Sequence, residues 1–439
     1  MGRGCRGRRV RGSEAVGRGR TRAAEHRVSQ LEALRRFLDE KKQPILDAMA
    51  SDMRKVELSE IIMVKNEVNY ALNNLSSWMK DKGVDKNLVT QLDTAFIRKE
   101  PYGVVLIIGP WNYPLQLILV PLVGAIVAGK VKGEGRGSPH TSSPLQLQDC
   151  FAAVTGGPAE MTQLLENKFD YIFFTGSPQV GKIVMAAAAK HLTPLTLELG
   201  GKNPCYVADE SDLQNVANRL VWGRCFNAGQ TCVAPDYVLC SVETQEKLLL
   251  ALRHAITQFF GPEPRESPDF ARIISDKQFQ RIRALLGSGR VAIGGQTDER
   301  DRYIAPTVLA DVQPSDPAMQ EEIFGPVLPI VTVPNVDEAI AFINRRERPL
   351  AVYVFASDSK VRGRDLGQVL AEDSHPGPGQ APCWNWSFTC SLLVQCDPQP
   401  TTLGPVSTGG RRCLAPHTLP RSGHHSWRDA AVWEGLQAS

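Results

Sequence analysis

Apolar residues near the start of the chain recur at three- and four-residue spacing. Val28, Leu31, Leu34 and Leu38, then Ile45, Met49 and Met53, predict amphipathic helix over 28–53. Ile61, Ile62, Val68, Leu72 and Leu75 repeat the pattern from Leu58 to Met79. Leu92 to Arg98, with Thr94, Phe96 and Ile97, is a weakly patterned strand. At Val104 the pattern changes, and no charged residue occurs over 26 positions to Gly129. That length could span a bilayer. Gly109, Pro110, Asn112, Pro114 and Pro121 interrupt it, however. Val104–Ile108 reads as a buried parallel strand, followed by a turn and a buried helix from Leu115.

Lys130–Cys150 is polar, rich in Gly, Ser and Pro, and aperiodic, so it reads as an atypical loop. From Phe151 strands and helices alternate. The predicted strands are Tyr171–Phe174, Leu195–Leu197, Tyr237–Cys240, Val291–Ile293, Tyr303–Leu309 and Ala351–Phe355. The predicted helices are Gln179–His191, Leu213–Phe226, Glu246–Phe260, Asp276–Leu286 and Val336–Arg345. Such alternation means an α/β fold with a mostly parallel sheet. Beyond Val361 no period persists, and a Gly- and Pro-rich tail without packed structure is expected over 361–439.

Composition narrows the class. The 439 residues are 42% hydrophobic and 22% charged, with 50 Lys and Arg against 47 Asp and Glu. These values suit a soluble globular protein and give no general pull toward nucleic acid. The basic surplus is local. Residues 1–22 hold eight Arg and one acid, Glu14, and read as a disordered basic arm. It has neither base-stacking aromatics nor the apolar block of a signal peptide. The ten Cys form no CxxC pair, which points to free thiols in a reducing, cytoplasmic compartment. Of the eight His only His191 and His254 fall between 150 and 360, and no HExxH occurs, so no metal site is expected.

Four places carry candidate chemistry. Cys232 ends the small-residue run Phe226-Asn227-Ala228-Gly229-Gln230-Thr231. A thiol there can be reached by substrate, and its own backbone N–H can face a developing oxyanion. Glu198 closes an apolar strand before Gly200-Gly201, where burial should raise its pKa toward neutrality and suit it to general-base work. Gly176, Ser177, Pro178, Gln179, Val180 and Gly181 join a strand to a helix, as at phosphate-binding turns, although the spacing is not GxGxxG. Asn112, between Pro110 and Pro114, is a candidate oxyanion donor. Taken singly, each also has a structural reading: a buried Cys, an ion-paired Glu, a tight strand–helix turn, a turn-capping Asn.

The combination is more specific. PWNYP, FTGS, LELGGKNP, FNAGQTC and EEIFGPVLP occur in this order, and together they resemble the NAD(P)-dependent aldehyde dehydrogenases. PYGVVLIIGPWNYP, DYIFFTGSPQVGKIVM and HLTPLTLELGGKNPCYV are similar to family 3, and within it to the B-type fatty-aldehyde members. The resemblance covers about residues 20–129 and 151–360. It implies a Rossmann-like cofactor domain over 23–198, a catalytic thiol domain over 199–360 and a small oligomerisation sheet. It further implies Cys232 as nucleophile, Glu198 as general base and Asn112 with the Cys232 N–H as oxyanion hole. Gly176 through Gly181 would face the pyrophosphate of NAD or NADP. Glu322 would hold the nicotinamide ribose, and Phe324 would pack near its ring.

Two departures accompany the resemblance. Lys130–Cys150 stands where relatives carry a strand ending in Lys-Pro-Ser-Glu, and the family's Phe-Gly-Gly and Ser-Gly-x-Gly-x-Tyr closing segment is missing after 360. The chain ends Leu436-Gln437-Ala438-Ser439, with no Cys in the place of a B-type lipidation signal, and the peripheral membrane association of such relatives is left open for it. The expected activity is oxidation of medium- or long-chain aliphatic or aromatic aldehydes, with a family-type homodimer whose sheet the altered C-terminus would leave incomplete. A non-catalytic homologue and a cofactor-independent thiol hydrolase are the alternatives.

Overall fold

The computed structural model describes residues 23–53, 60–85, 94–129, 151, 154, 156–357 and 392–395. The basic arm 1–22, the loop 130–150 and all of the 361–439 tail except Leu392–Gln395 lie outside the described residues.

The N-terminal periodicity becomes helices α1 (Ala24–Glu40), α2 (Lys42–Met53) and α3 (Ile61–Trp78). Short antiparallel strands β1 (Lys82–Gly83) and β2 (Phe96–Ile97) follow, then β3 (Val105–Ile108) and helix α4 (Gln116–Val127). Helix α4 is not membrane-spanning: among the described residues no helix is long and apolar enough to cross a bilayer. Its Leu122, Val123, Ile126 and Val127 pack with Leu31, Leu34 and Leu38 of α1 and with Val64, Val68, Ala71 and Leu75 of α3. Pro121 is tolerated six residues in, where the helix is encased by its neighbours.

Both ends of α4 are closed by charged groups from far along the chain. The fully buried carboxylate of Glu60 accepts from Leu115 N at 3.2 Å and Gln116 N at 2.7 Å. An anion at a helix N-terminus satisfies otherwise partnerless N–H groups and opposes the helix dipole. At the other end Arg27 Nη1 donates to Val127 O at 2.9 Å. Gly129 then leaves the helix at φ +75°, so close to that guanidinium that a Cβ would lie 2.5 Å from Arg27 Nη2.

Helix α5 (Pro158–Leu165), strand β4 (Tyr171–Gly176), helix α6 (Pro178–Ala189) and strand β5 (Leu195–Leu199) complete the first layer. The sheet β3-β4-β5 is parallel throughout. The second layer begins with β6 (Pro204–Val207), α7 (Leu213–Cys225), β7 (Tyr237–Cys240), α8 (Val242–Phe260) and α9 (Asp276–Leu285). It continues through β8 (Arg290–Ile293), β9 (Thr297–Asp298), β10 (Tyr303–Ile304), β11 (Thr307–Ala310), β12 (Val327–Thr332), α10 (Val336–Asn344), β13 (Ala351–Phe355) and β14 (Leu392–Gln395). The large sheet runs β14-β13-β6-β7-β12-β11-β8, parallel except for β8 against β11.

Several elements differ from the pattern-based expectation. The strand expected over Tyr303–Leu309 is two strands, with Ala305 and Pro306 between them. Helix α8 starts at Val242 rather than Glu246, because the Ser241 hydroxyl caps it by accepting from Thr244 N at 3.1 Å. Strands β6 and β12 and helix α5 were not expected at all. The tail, expected to lack packed structure, contributes β14, which pairs in parallel with β13.

Candidate active site

The two sheets part between Leu199 and Pro204, and the candidate residues gather at that junction. Cys232 follows α7 and a short 3₁₀ turn, Phe226–Gly229. Asn227, Ala228 and Gly229 take left-handed φ values of 54°, 50° and 76° in succession. Asn tolerates this region better than other non-glycine residues, whereas Ala does not. Gly229 is required for space as well: a Cβ would sit 2.1 Å from Gly325 O. This run of reversed dihedrals bends the chain sharply and presents the half-buried Cys232 at the end of the turn.

Gln230 locks the bend from inside. Its fully buried side chain donates from Nε2 to Asn227 O and Arg272 O, each at 3.0 Å, and its Oε1 accepts from Ile274 N at 2.9 Å. Downstream, Asn203 Nδ2 donates to Cys232 O at 2.7 Å and to Ala234 O at 3.0 Å, while its Oδ1 accepts from Ala351 N at 2.9 Å. The Tyr353 hydroxyl donates to Val233 O. The peptides on both sides of the thiol are therefore held by buried amides, none of which the motif reading had assigned a role.

Asn112 is buried in the turn between β3 and α4, and its Nδ2 donates to Gln230 O at 3.1 Å. The next residue, Tyr113, shares a 2.6 Å hydrogen bond with Thr231 Oγ1. The Pro-Trp-Asn-Tyr-Pro turn and the Cys232 loop are thus joined at adjacent residues on each side.

Glu198 lies one residue before the end of β5, with Thr175 opposite it in β4. Its Oε1 is buried and has no hydrogen-bond partner. Burial pushes its carboxyl up to about 7. Glu322 is pushed up to about 8, first by burial and then by the charge of Asp236, against the opposing influence of Arg224 and a hydrogen bond from the Gly201 backbone. Its Oε1 too is buried without a partner, and its Oε2 would lie 2.2 Å from a Cβ at Gly200. Both carboxylates act on Cys232. Burial, then Glu322, with Glu198 adding, pushes the thiol up to about 12.

The Glu322 loop is anchored by a buried ion cluster. Arg224 Nη1 meets Asp236 Oδ1 at 2.8 Å, and Lys202 Nζ meets Asp236 Oδ2 at 2.6 Å. Arg224 Nε donates to Gly325 O at 2.7 Å, and Ile323 N donates to Asp236 Oδ1 at 3.2 Å. Arg281 Nη2 adds a bond to Ile323 O at 2.6 Å. Phe324, at φ +50°, meets Trp111 edge to face at a centroid distance of 5.6 Å.

The Gly176–Gly181 turn closes the same end of β4. Ser177 caps α6, its hydroxyl accepting from Val180 N at 3.4 Å, and Pro178 occupies the first helical position. Gly181 lets the helix approach β5, since a Cβ there would lie 2.8 Å from Leu199 Cδ2. Gln179 and Val180 follow in the first turn of the helix, whose N-terminus is suited to an anion.

The aldehyde dehydrogenase family model matches residues 12–132 and 147–369. Human aldehyde dehydrogenase family 3 member B1 is 63% identical over 375 residues, spanning 82% of this chain and 80% of that protein. Among solved structures, the substrate-bound state of Staphylococcus aureus AldH superposes with a TM-score of 0.77 at 37% identity, covering 81% of each chain. A Mycobacterium tuberculosis aldehyde dehydrogenase complexed with NAD+ gives a TM-score of 0.70 at 26% identity, covering 81% of this chain and 80% of that one. The chain belongs to the aldehyde dehydrogenase family and carries the features of its family 3, B-type branch. It is an oxidoreductase by fold and descent.

Proposed function

We propose that the chain oxidises medium- or long-chain aliphatic or aromatic aldehydes to carboxylic acids with NAD or NADP, with 23–198 serving the cofactor and 199–360 the thiol chemistry. The observation that carries this reading is the convergence on Cys232. The charges of two carboxylates of raised pKa reach the thiol, and the Asn112 amide is hydrogen-bonded into the same loop. The cofactor reading has independent support. Glu322 Oε1 is a buried acceptor with no partner, which fits the hydroxyl donors of a ribose. The helix start after Gly176 offers backbone N–H groups suited to a pyrophosphate. Phe324, set against Trp111, supplies an aromatic wall beside them.

The chemistry follows from these groups. Cys232 rests as a neutral thiol, so attack on the aldehyde carbon requires a proton acceptor, and Glu198, near neutrality, is suited to that task. The new C–S bond makes a thiohemiacetal whose oxyanion is met by Asn112 Nδ2 and the Cys232 N–H. When bound, the nicotinamide supplies the hydride acceptor that converts this adduct to a thioester. Glu198 releases the thiol proton to solvent and then takes a proton from water. The hydroxide adds to the thioester, the bond between the acyl carbon and sulfur breaks, the Cys232 sulfur takes the proton back from Glu198, and the acid departs. The free thiols Cys205, Cys225, Cys232 and Cys240 support work in the reducing cytoplasm, and a second copy of the chain is the expected partner.

The test uses the full chain with an aliphatic aldehyde and NAD or NADP. Cys232→Ala should abolish both aldehyde oxidation and ester cleavage. Glu198→Gln should leave a burst of reduced nicotinamide with little turnover after it. Wild-type turnover in Glu198→Gln would remove Glu198 from the mechanism. Ester cleavage without any reduced nicotinamide from the native chain would overturn the dehydrogenase reading and leave a thiol hydrolase and a homologue without a working cofactor site as the two alternatives.

A further inference from the structure

The oxyanion hole assigned above draws its two donors from opposite sides of the junction between the sheets. Asn112 stands on the turn after β3, and the Cys232 N–H stands on the loop after α7. For both to point at one oxygen, the turn and the loop must hold a fixed spacing. Besides the direct Asn112–Gln230 and Tyr113–Thr231 bonds, a further side chain spans them. Asn227 Nδ2 donates to Asn112 O at 3.1 Å and to Gln230 O, also at 3.1 Å. Gln230 O is the same atom that receives Asn112 Nδ2. The amide of Asn227 therefore ties the backbone of the oxyanion turn to the carbonyl that orients the oxyanion amide.

We infer that Asn227 is a positioning residue for acyl transfer at Cys232: it sets the direction of the Asn112 amide relative to the thiol. The inference rests on the oxyanion role proposed for Asn112. Three features of Asn227 support it. The residue is 6% exposed, so its two hydrogen bonds do not exchange with bulk water. Its amide orientation is unambiguous, because turning it over would aim Oδ1 at two carbonyl oxygens. Its φ of 54° favours Asn or Gly and disfavours most other side chains. Without Asn227 the Tyr113–Thr231 and Asn112 Nδ2–Gln230 O bonds still join turn and loop, but Asn112 O and Gln230 O lose the donor that fixes them relative to each other, so the direction of the Asn112 amide is less closely set.

Acylation and alkylation of the same thiol separate this role from simple structural support. Acylation by p-nitrophenyl acetate passes through an oxyanion and needs no cofactor. Alkylation by iodoacetamide displaces iodide at a saturated carbon and forms no oxyanion. Asn227→Gly keeps the backbone freedom and removes the tie, and Asn227→Asp keeps the shape and replaces the donor by an acceptor. Both should acylate about 10- to 100-fold more slowly than the native chain, the size expected for a displaced oxyanion donor. Asn227→Gly, which adds no charge beside the thiol, should keep the native alkylation rate and its pH profile. In an Asn112→Ala background, Asn227→Gly should produce no further loss of acylation.

Parallel loss of acylation and alkylation in Asn227→Gly, or an undiminished loss in the Asn112→Ala background, would overturn the positioning role and leave Asn112 as the oxyanion donor. Native acylation in Asn112→Ala alone would overturn the oxyanion assignment itself, and the inference about Asn227 with it.

Discussion

Replacing Glu198 by Gln should stabilise the folded chain in alkaline solution while removing turnover. The carboxyl is half-buried at the end of β5, its Oε1 without a partner, and burial raises its pKa from 4.5 to about 7. The sign follows from linkage. Below about pH 4.5 the group is protonated in both folded and unfolded chains and costs nothing. As pH rises toward 7 the unfolded carboxyl ionises first, so stability is lost across that window and the loss is complete above it. A rise of roughly 2.5 units corresponds to about 3.4 kcal/mol. The partial access of solvent reduces this to on the order of 2 kcal/mol. Urea unfolding of the native and Glu198→Gln chains at pH 5 and pH 8.5 measures the difference directly. The gap between them should move by about 1–1.5 kcal/mol in favour of the variant on going to the higher pH, because part of the loss is already present at pH 5. A gap that stays constant with pH would refute the burial argument, and with it the reason for reading Glu198 as a base poised near neutrality.

Glu60→Ala leaves Leu115 N and Gln116 N without their acceptor at the start of α4. At about 1–3 kcal/mol for each of the two groups, unfolding free energy should fall by about 2–6 kcal/mol, as chemical denaturation would show. Arg224→Met leaves Lys202 alone to balance the buried Asp236 and removes the donor to Gly325 O and Pro235 O. It should cost about 3–5 kcal/mol by the same measurement, with a raised KM for the nicotinamide cofactor because the Glu322 loop loses its anchor.

The alternation of elements, and hence the α/β class, was readable from the sequence because it depends on short-range periodicity. Strand β3, strand β7 and helix α9 announce themselves through contiguous apolar residues or a helical stripe. Cys232 and Glu198 stood out for a similar reason, as chemistry-bearing side chains at the ends of recognisable elements. Their motifs, taken in order, were specific enough to point to the family.

Strand β12 escaped notice because Pro329 sits in its middle, which argues against a central strand. Strand β6 is four residues beginning at a proline, and only its insertion between β7 and β13 makes it a strand. The supports of the site were hidden for a different physical reason. Glu60 reaches Gln116 across 56 positions, and Asn227 reaches Asn112 across 115. Burial of Glu198 and Glu322, and so their raised pKa values, depends on what the fold packs around them. Local sequence determined which groups were available. Tertiary packing decided which of them lost water, and which amide would stand between the turn and the thiol, because desolvation and long-range hydrogen bonding exist only once distant segments are brought together.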